Sequence, residues 1–410
     1  MRYPPEEDRI APGSHGDVLA LVSGGRAATI ADVSELTALV RSTVKRRIDD
    51  LTAGGYLKGD TEPDADGKTT GRPARRIRLN DRNLVLAVDL GASHCRTAVM
   101  RVTQEIVAED EVPIETTSLT REELLTRLVP HLRGLLCRAD GEGTLRAIGM
   151  GVPAPIEFDS GKPSNPPILG SGWHGFSIKD FLTERFGGVE AVVDNDVNVM
   201  ALGEHRRHRP GERDLLLVKI GTGIGCGIIT GGRLHRGAQG CAGDIGHIQV
   251  PGGDRHRCRC GMTGCLEAAA GGTAIARALS AAGHPAATPA DVIRLADDGD
   301  PDAFRELQRA GQQIGSVLAA VVNFFNPQTI AVAGALSRSP HLIARIREVV
   351  SQRSLPLATG LIIEPARAAE QAAVTGAGIL AIEQFLSPGR INRQFSDSPR
   401  NISGRDQQLA

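Results

Sequence analysis

Two stretches of this chain are built to one design. In LVLAVDLGASHCRTAVMRV (84–102) and LLLVKIGTGIGCGIITGGRL (215–234) an apolar run ends at a glycine turn and a second apolar run follows. Short apolar runs bounded by glycine read as strands rather than helices. From Leu84 onward such runs alternate with helical patterns, which predicts an α/β body. The turns carry chemistry of their own. Asp89 ends a strand just before Gly91, where a carboxylate can hold metal-bound water while backbone N–H groups approach a phosphate. Gly221, Thr222, Gly223 and Gly225 repeat the design, and PQTIAVAGAL (327–336) brings a third strand to Gly334, where a helix can start beneath a nucleoside. None of these is a dinucleotide-type G-x-G-x-x-G, and no helix pattern directly follows the 221–225 loop. By itself D-x-G is too common a triplet to carry a function.

Between the two stretches lies EAVVDNDVNVMALGEHRRH (190–208), where a strand gives way to a helix at Asn195, Asp196 and Asn198. Asp196 can take a proton from a hydroxyl nucleophile and Asn195 can orient that hydroxyl. The bland alternative is that Asp194, Asn195 or Asp196 caps the helix. One cap does not call for three polar residues in a row.

The chain has seven cysteines in 410 residues, and three of them crowd into HRCRCGMTGCLE (256–267). The C-x-C spacing can support a disulfide. The N-terminus MRYPPEEDRIAPG lacks an apolar signal core and no run approaches the length of a membrane span, so the expectation is a cytoplasmic protein with reduced thiols. Clustered cysteines there point to metal. Three thiolates need a fourth ligand for tetrahedral zinc, and GDIGHIQV supplies His247. His256 is the rival, but it sits so near Cys258 that an unstrained tetrahedron is harder to build. The expected structural Zn²⁺ site is therefore His247, Cys258, Cys260 and Cys265. Cys95, Cys137, Cys226 and Cys241 read as small core or near-core residues.

Residues 1–80 read differently. GDVLALVSGG has the spacing of a short amphipathic helix, and TIADVSELTALVRSTVKRRIDDLTAGGYL gives two more around a turn. Val40, Val44, Ile48 and Leu51 form one predicted buried stripe on the last helix, which Gly54 and Gly55 stop. The opposite face carries Arg41, Ser42, Thr43, Lys45 and Arg46. That order predicts a helix-turn-helix whose second helix enters a major groove, with hydroxyls and cations for base edges and phosphates. YLKGDTEPDADGKTTGRPARRIRLN then reads as a wing, with Arg72 available to a narrow minor groove. A net charge of −1 argues against a chain coated in nucleic acid but leaves room for a locally basic head on a neutral body. Acidic residues from Asp49 to Asp66 nearly cancel the basic ones, so charge alone does not separate DNA binding from a solvated helix face.

Taken in order, DLGASH, VVDNDVNVMALGE, GTGIGCGII, CAGDIGH and CRCGMTGCLE resemble the ROK family of repressors, open reading frames and sugar kinases. The resemblance spans roughly 84–386, and the head, including GRPARRIRLN, is similar to that of the family's transcriptional regulators. It implies an N-terminal winged helix-turn-helix (1–80) followed by an actin-like ATPase (ribonuclease H-like) two-lobe body at 84–386. The lobes would be about 84–199 with 373–386, and 200–372. Residues 387–410, polar and without periodicity, are expected to be a disordered tail. Carried across, Asp89, Gly91 and Ser93 would form one phosphate loop and Gly221, Thr222 and Gly223 the other. Asn195, Asp196, Asp244, His247 and Glu267 would bind a sugar, with Asp196 as general base in a kinase. His247 would then be both zinc ligand and sugar contact. SGKPSNPPILGSGWHG, with Trp173, would form the pocket rim.

Three departures bear on activity. Ala92 and Ser93 replace the second glycine and the threonine of D-x-G-G-T, and the added Cβ crowds a phosphate approach. Asp244 stands where the sugar motif has glutamate, one methylene shorter, and Ala154 where glycine is common. The expectation is a sugar-responsive regulator, a repressor, binding operator DNA as a homodimer or homotetramer with no membrane partner. The alternative is an ATP-dependent sugar kinase (hexose or N-acetylhexosamine), using Mg-ATP, with or without DNA binding.

Overall fold

In the computed structural model the described residues are 13–60, 76–139, 141–253, 256–355, 360–368 and 371–396. The chain divides into two compact units, Met1–Asn83 with Ile382–Ala410, and Leu84–Ala381.

The first unit opens with α1 (His15–Ser23), α2 (Ile30–Thr37) and α3 (Arg41–Ala53), then a hairpin of β1 (Leu57–Asp60) and β2 (Arg76–Leu79) paired antiparallel from Leu57↔Leu79. Ser14 caps α1 through its hydroxyl. Thr29 and Asp32 close a capping box on α2, and the amides of Ala28 and Thr29 hold the Asp32 carboxyl below its usual range. The predicted stripe of α3 is right for Val44, Ile48 and Leu51, which are buried, and wrong for Val40, which is 67% exposed. Val40 is the N-cap, with extended backbone (φ −65°, ψ 144°), so its side chain does not follow the helical period. Arg72 lies outside the described residues.

The second unit contains two five-stranded sheets. In chain order come β3 (Asn83–Leu90), β4 (His94–Arg101), β5 (Ile106–Pro113), α4 (Arg121–Arg138), β6 (Thr144–Val152), β7 (Ile156–Glu157), β8 (Lys162–Pro163), α5 (Ile178–Arg185) and β9 (Ala191–Asn195). After α6 (Asp196–His208) the pattern restarts with β10 (Leu215–Ile220), β11 (Ile224–Thr230) and β12 (Arg233–His235). Helices α7 (Leu266–Ala270), α8 (Gly272–Ala281), α9 (Pro289–Asp297) and α10 (Pro301–Phe325) precede β13 (Thr329–Ala333). Then follow α11 (Pro340–Arg353), β14 (Ile362–Pro365) and α12 (Ala372–Phe385).

Sheet order is β5-β4-β3-β6-β9 in one half and β12-β11-β10-β13-β14 in the other. Each half therefore has the same 3-2-1-4-5 arrangement, with the first three strands an antiparallel meander and the fourth and fifth parallel. This is the actin-like two-lobed fold that the family resemblance implied, and it carries the repeated strand, turn and strand design in each half. Every residue of β3 is buried, as expected of a strand covered on both faces. Helix α6 joins the halves and is crossed closely by α12. A Cβ at Gly203 would fall 2.1 Å from the Ala372 carbonyl oxygen, and one at Gly376 1.7 Å from that of Val199. Only glycine allows backbones so near.

Two expectations need correction. Residues 388–396 are not disordered but form α13 (Pro388–Ser396), which packs on α1. Ile391 is fully buried, the Phe395 ring stacks on His15 at 4.5 Å, and Asn392 Oδ1 accepts the Gly16 N–H at 2.9 Å. Two apolar residues four apart were too weak a period to reveal a helix whose partner is nearly the whole chain away. Trp173 is not a rim residue. It is 1% exposed within the core of the first sheet, edge-on to Phe176. Among the described residues no helix is long and apolar enough to cross a membrane.

Candidate functional site

A cleft of about 1190 Å³ in the second unit gathers both glycine loops, the start of α6, the segment from Gly240 to His247, and Glu267. Of the expected pocket rim, Pro167 and Ile168 line it.

The β3–β4 turn closes with the Gly91 N–H donating to the His94 carbonyl at 2.9 Å, and Thr116 Oγ1 ties it by donating to the Ala92 carbonyl. Asp89 is buried at its edge, with Oδ2 3.6 Å from His94 Nε2. The His94 ring packs directly on Gly91, where an added Cβ would come within 2.4 Å of it. In the second loop the Gly221 N–H donates to the Gly223 carbonyl at 3.0 Å. A Cβ on Gly223 would collide with Glu267 Oε2 at 1.9 Å, so this glycine makes room for a carboxylate. Gly334 has φ 84° and leads into a single 3-10 turn, Ala335–Arg338, rather than an α-helix. Ser93, Thr222 and Gly334 all line the cleft.

At the start of α6 the polar triplet divides its work. Asn195 is the cap: its Oδ1 accepts the Val197 and Asn198 N–H groups and its Nδ2 donates to the Ala154 carbonyl at 3.0 Å. Asp194 is buried, accepting from Asn198 Nδ2 at 2.9 Å and pairing with Arg236 at 2.7 Å. Asp196 faces the cleft. Its Oδ1 accepts the Val197 N–H at 2.9 Å, and its Oδ2 meets Lys219 Nζ at 2.7 Å. Burial pulls the Lys219 ammonium down, but the charges of Asp196 and Asp89 and the hydrogen bond to Asp196 outweigh it, leaving that amine above its ordinary value. Sequence reading missed Lys219 because in β10 it interrupts an apolar run as any edge lysine does. The only hint was a cation one residue before a strand ends at a glycine loop.

Asp244 precedes the 3-10 turn Ile245–His247, and its Oδ1 lies 3.9 Å from His247 Nε2. Glu267, in the first turn of α7, accepts the Ile224 N–H at 3.2 Å, and burial holds its carboxyl above the usual range. His247 has its Nδ1 3.6 Å from Cys258 Sγ, and Cys260 Sγ lies 3.7 Å from Cys265 Sγ. All four ligand atoms fall within 4.8 Å of one another, and His256 is not among them. A tetrahedral zinc with bonds of about 2.3 Å to sulfur and about 2.0 Å to nitrogen demands S···S near ~3.7 Å and S···N near ~3.5 Å. The donor set and its spacing fit that ion. Burial pushes the Cys265 thiol up to about 12, so a bound metal must displace its proton. Of the remaining cysteines, Cys95 and Cys226 are buried as expected, while Cys137 and Cys241 are exposed.

On the head, Arg41, Ser42, Lys45 and Arg46 are exposed along α3 and Thr43 is half-buried, so the predicted face exists. Lys45 pairs with Asp49 one turn on, an exposed contact that a stronger anion can displace.

These features define a class: a chain that joins a helix-turn-helix head to a two-lobed, actin-like body with a polar cleft and a Cys3His cluster. The family model described as "ROK family" matches residues 85–384, and the chain belongs to that family. It is 32% identical to a glucokinase of Halalkalibacterium halodurans over 75% of this chain and 97% of that one. It is 31% identical to the DNA-binding transcriptional dual regulator NagC of Escherichia coli K12, over 79% of this chain and 80% of that one. Among solved structures, a ROK family transcriptional regulator described as a homolog of E. coli MLC covers 93% of this chain and 97% of its own, at 25% identity and a TM-score of 0.77. The relatives thus include both regulators and sugar kinases.

Proposed function

We propose that this protein is a sugar-responsive transcriptional regulator, a repressor, that binds operator DNA through its head and a sugar effector in the cleft. The observation that carries the reading is the extent of likeness. The glucokinase match takes 97% of that enzyme but leaves a quarter of this chain unmatched, whereas the regulator structure aligns with 93% of it, head included. Arg41, Ser42, Thr43, Lys45, Arg46 and Arg72 contact DNA on this reading, and Asn195, Asp196, Asp244, His247 and Glu267 meet sugar hydroxyls. Asn195 contributes less than a free amide would, because capping and Ala154 already engage its oxygen and nitrogen.

Zn²⁺ at His247, Cys258, Cys260 and Cys265 acts structurally: with Nδ1 committed to metal, the His247 ring has a fixed tautomer and turns Nε2 toward Asp244 and the cleft. The same loop ends at Glu267, so one ion positions two sugar contacts. A homodimer or homotetramer presents two heads to a pseudo-palindromic operator. Sugar closes the lobes and shifts the spacing of the heads, and the lost register removes the avidity of two-headed binding. A second reading, sugar kinase, is favoured by the survival of Asp196 and by the 32% identity to a glucokinase.

The test is a titration of the zinc-loaded protein against its own promoter region at several salt concentrations. Affinity should fall steeply with salt, and Lys45→Ala should lower the log–log slope by about one. A stabilising sugar, found by thermal shift across hexoses, N-acetylhexosamines, pentoses and sugar phosphates, should then change operator affinity. Unchanged affinity at saturating sugar would sink the coupling, and sugar-dependent ADP release would promote the kinase.

A further inference from the structure

Nucleotide phosphates and their divalent ion are natural guests of glycine loops beside cleft carboxylates, but here the chain's own side chains occupy the parts. The His94 ring covers Gly91 of the first loop and faces Asp89. The Glu267 carboxylate sits on Gly223 of the second loop and takes the Ile224 N–H, adding negative charge where phosphate oxygens would need donors. Between the acidic groups comes Lys219. Sheet register seats it beside Gly225 of β11 and Ala333 of β13, small neighbours that leave room for its stem. Its ammonium reaches Asp196 Oδ2 at 2.7 Å, and Asp89 is near enough to add its own attraction. With Val197 N–H on the other oxygen, Asp196 has both oxygens engaged. A carboxylate held in an ion pair is a weakened base, and one whose charge a fixed cation already balances gains less from a divalent ion. Mg-ATP does not fit this arrangement.

We propose that Lys219 is a built-in cation that stands in for the divalent ion of a phosphoryl-transfer site, pairing with Asp196 in the cleft that Asp89 also lines and making that cleft a sugar receptor that does not turn over nucleotide. The inference rests on the reading of the cleft as a sugar site and concerns what else can enter it. Removing the ammonium leaves Asp196 without its counter-charge in a cleft that a second carboxylate, Asp89, also lines, and a divalent oxygen-loving ion can take the vacated place.

The test uses full-length, zinc-loaded protein and Mg²⁺ alone as probe. The melting temperature of the wild-type chain should be indifferent to Mg²⁺. Lys219→Met should acquire a Mg²⁺-dependent rise, and adding Asp89→Asn should abolish it. Wild-type protein titrated with Mg-ATP in a calorimeter should give no binding heat. Equal indifference to Mg²⁺ in wild type and Lys219→Met overturns the proposal. So does sugar-stimulated ADP release by wild type that Lys219→Met loses, since Lys219 would then serve the phosphate. Lys219→Gln, closer in polarity, covers a failure of the methionine variant to fold. If neither variant folds, the wild-type titration decides: Mg-ATP binding refutes the proposal and its absence supports it. Promoter binding by the wild-type chain is scored separately, so failure of the regulator reading is told apart from failure of this inference.

Discussion

Val40 is a buried-type residue left in water at the entrance of α3. The two preceding helices start with side-chain caps from Ser14 and Thr29, but α3 starts with valine and no side-chain cap. Forgoing Ser, Thr, Asp or Asn there costs about 1 kcal/mol of helix stability. The position is flanked by exposed Arg41, Ser42 and Lys45, and in a helix-turn-helix these first residues meet base edges. A small branched apolar group there suits a thymine methyl. Promoter DNA amplified with uracil in place of thymine should therefore bind several-fold more weakly, on the order of 0.8 kcal/mol for each lost methyl contact. Val40→Ala should weaken thymine DNA by a similar factor and lose most of the difference between the two DNAs. An undiminished difference in the variant would mean that Val40 is only a cap that happens to be exposed. The same scale explains Asn195 and Asp196: the triplet was legible as a site or a cap, and the structure makes Asn195 the cap and leaves Asp196 to the cleft.

At the scale of elements, the Cys3His loop and α13 make opposite cases. The loop is a local device. Its four donor residues lie within Cys258–Cys265 except His247, and the structure brings together the four side chains that the sequence pointed to. Removing the metal should unravel the segment that carries Glu267. Cys260→Ser, at an exposed ligand, should drop zinc content from about one per chain, lower the melting temperature, and make the protein indifferent to chelator. A variant that keeps stoichiometric zinc and unchanged chelator sensitivity would exclude Cys260 from the site. Helix α13 is instead defined by what it touches. Tyr56 stacks on Phe385 at 5.0 Å while Phe395 stacks on His15, so the chain's end completes the core of its beginning. Ile391→Ala should cost about 2–5 kcal/mol, felt by the first unit alone. Hydrogen exchange in α1 and α3 should accelerate while the unfolding midpoint read from Trp173, the sole tryptophan and a residue of the second unit, stays put. Equal loss of protection in both units would show that they unfold as one.

For the whole molecule, the order of strands was written in the chain and the chemistry of the cleft was not. Apolar runs, glycine turns, helix caps and cysteine spacing act over a few residues, so the α/β class, the repeated half, the helix-turn-helix and the Cys3His cluster could all be read before any packing was known. Pairs that meet only after folding were out of reach. Lys219 and Asp196 are 23 positions apart and look ordinary until β10 and α6 are laid side by side. Glu267 and Gly223 are similarly remote, and their contact turns an apparent phosphate loop into a seat for a carboxylate. Trp173 drew attention as a lone aromatic in a glycine- and proline-rich loop, yet the sheet beneath it took the ring into the core. The physical reason is the range of the forces. Backbone sterics and hydrogen bonding set local conformation from neighbours in the chain, whereas burial and charge pairing depend on which surfaces the finished fold brings together. The sequence by itself determined most elements, their order and the Cys3His cluster; the tertiary structure decided which carboxylate faces the cleft, which cation answers it, and that the last described helix belongs to the first unit.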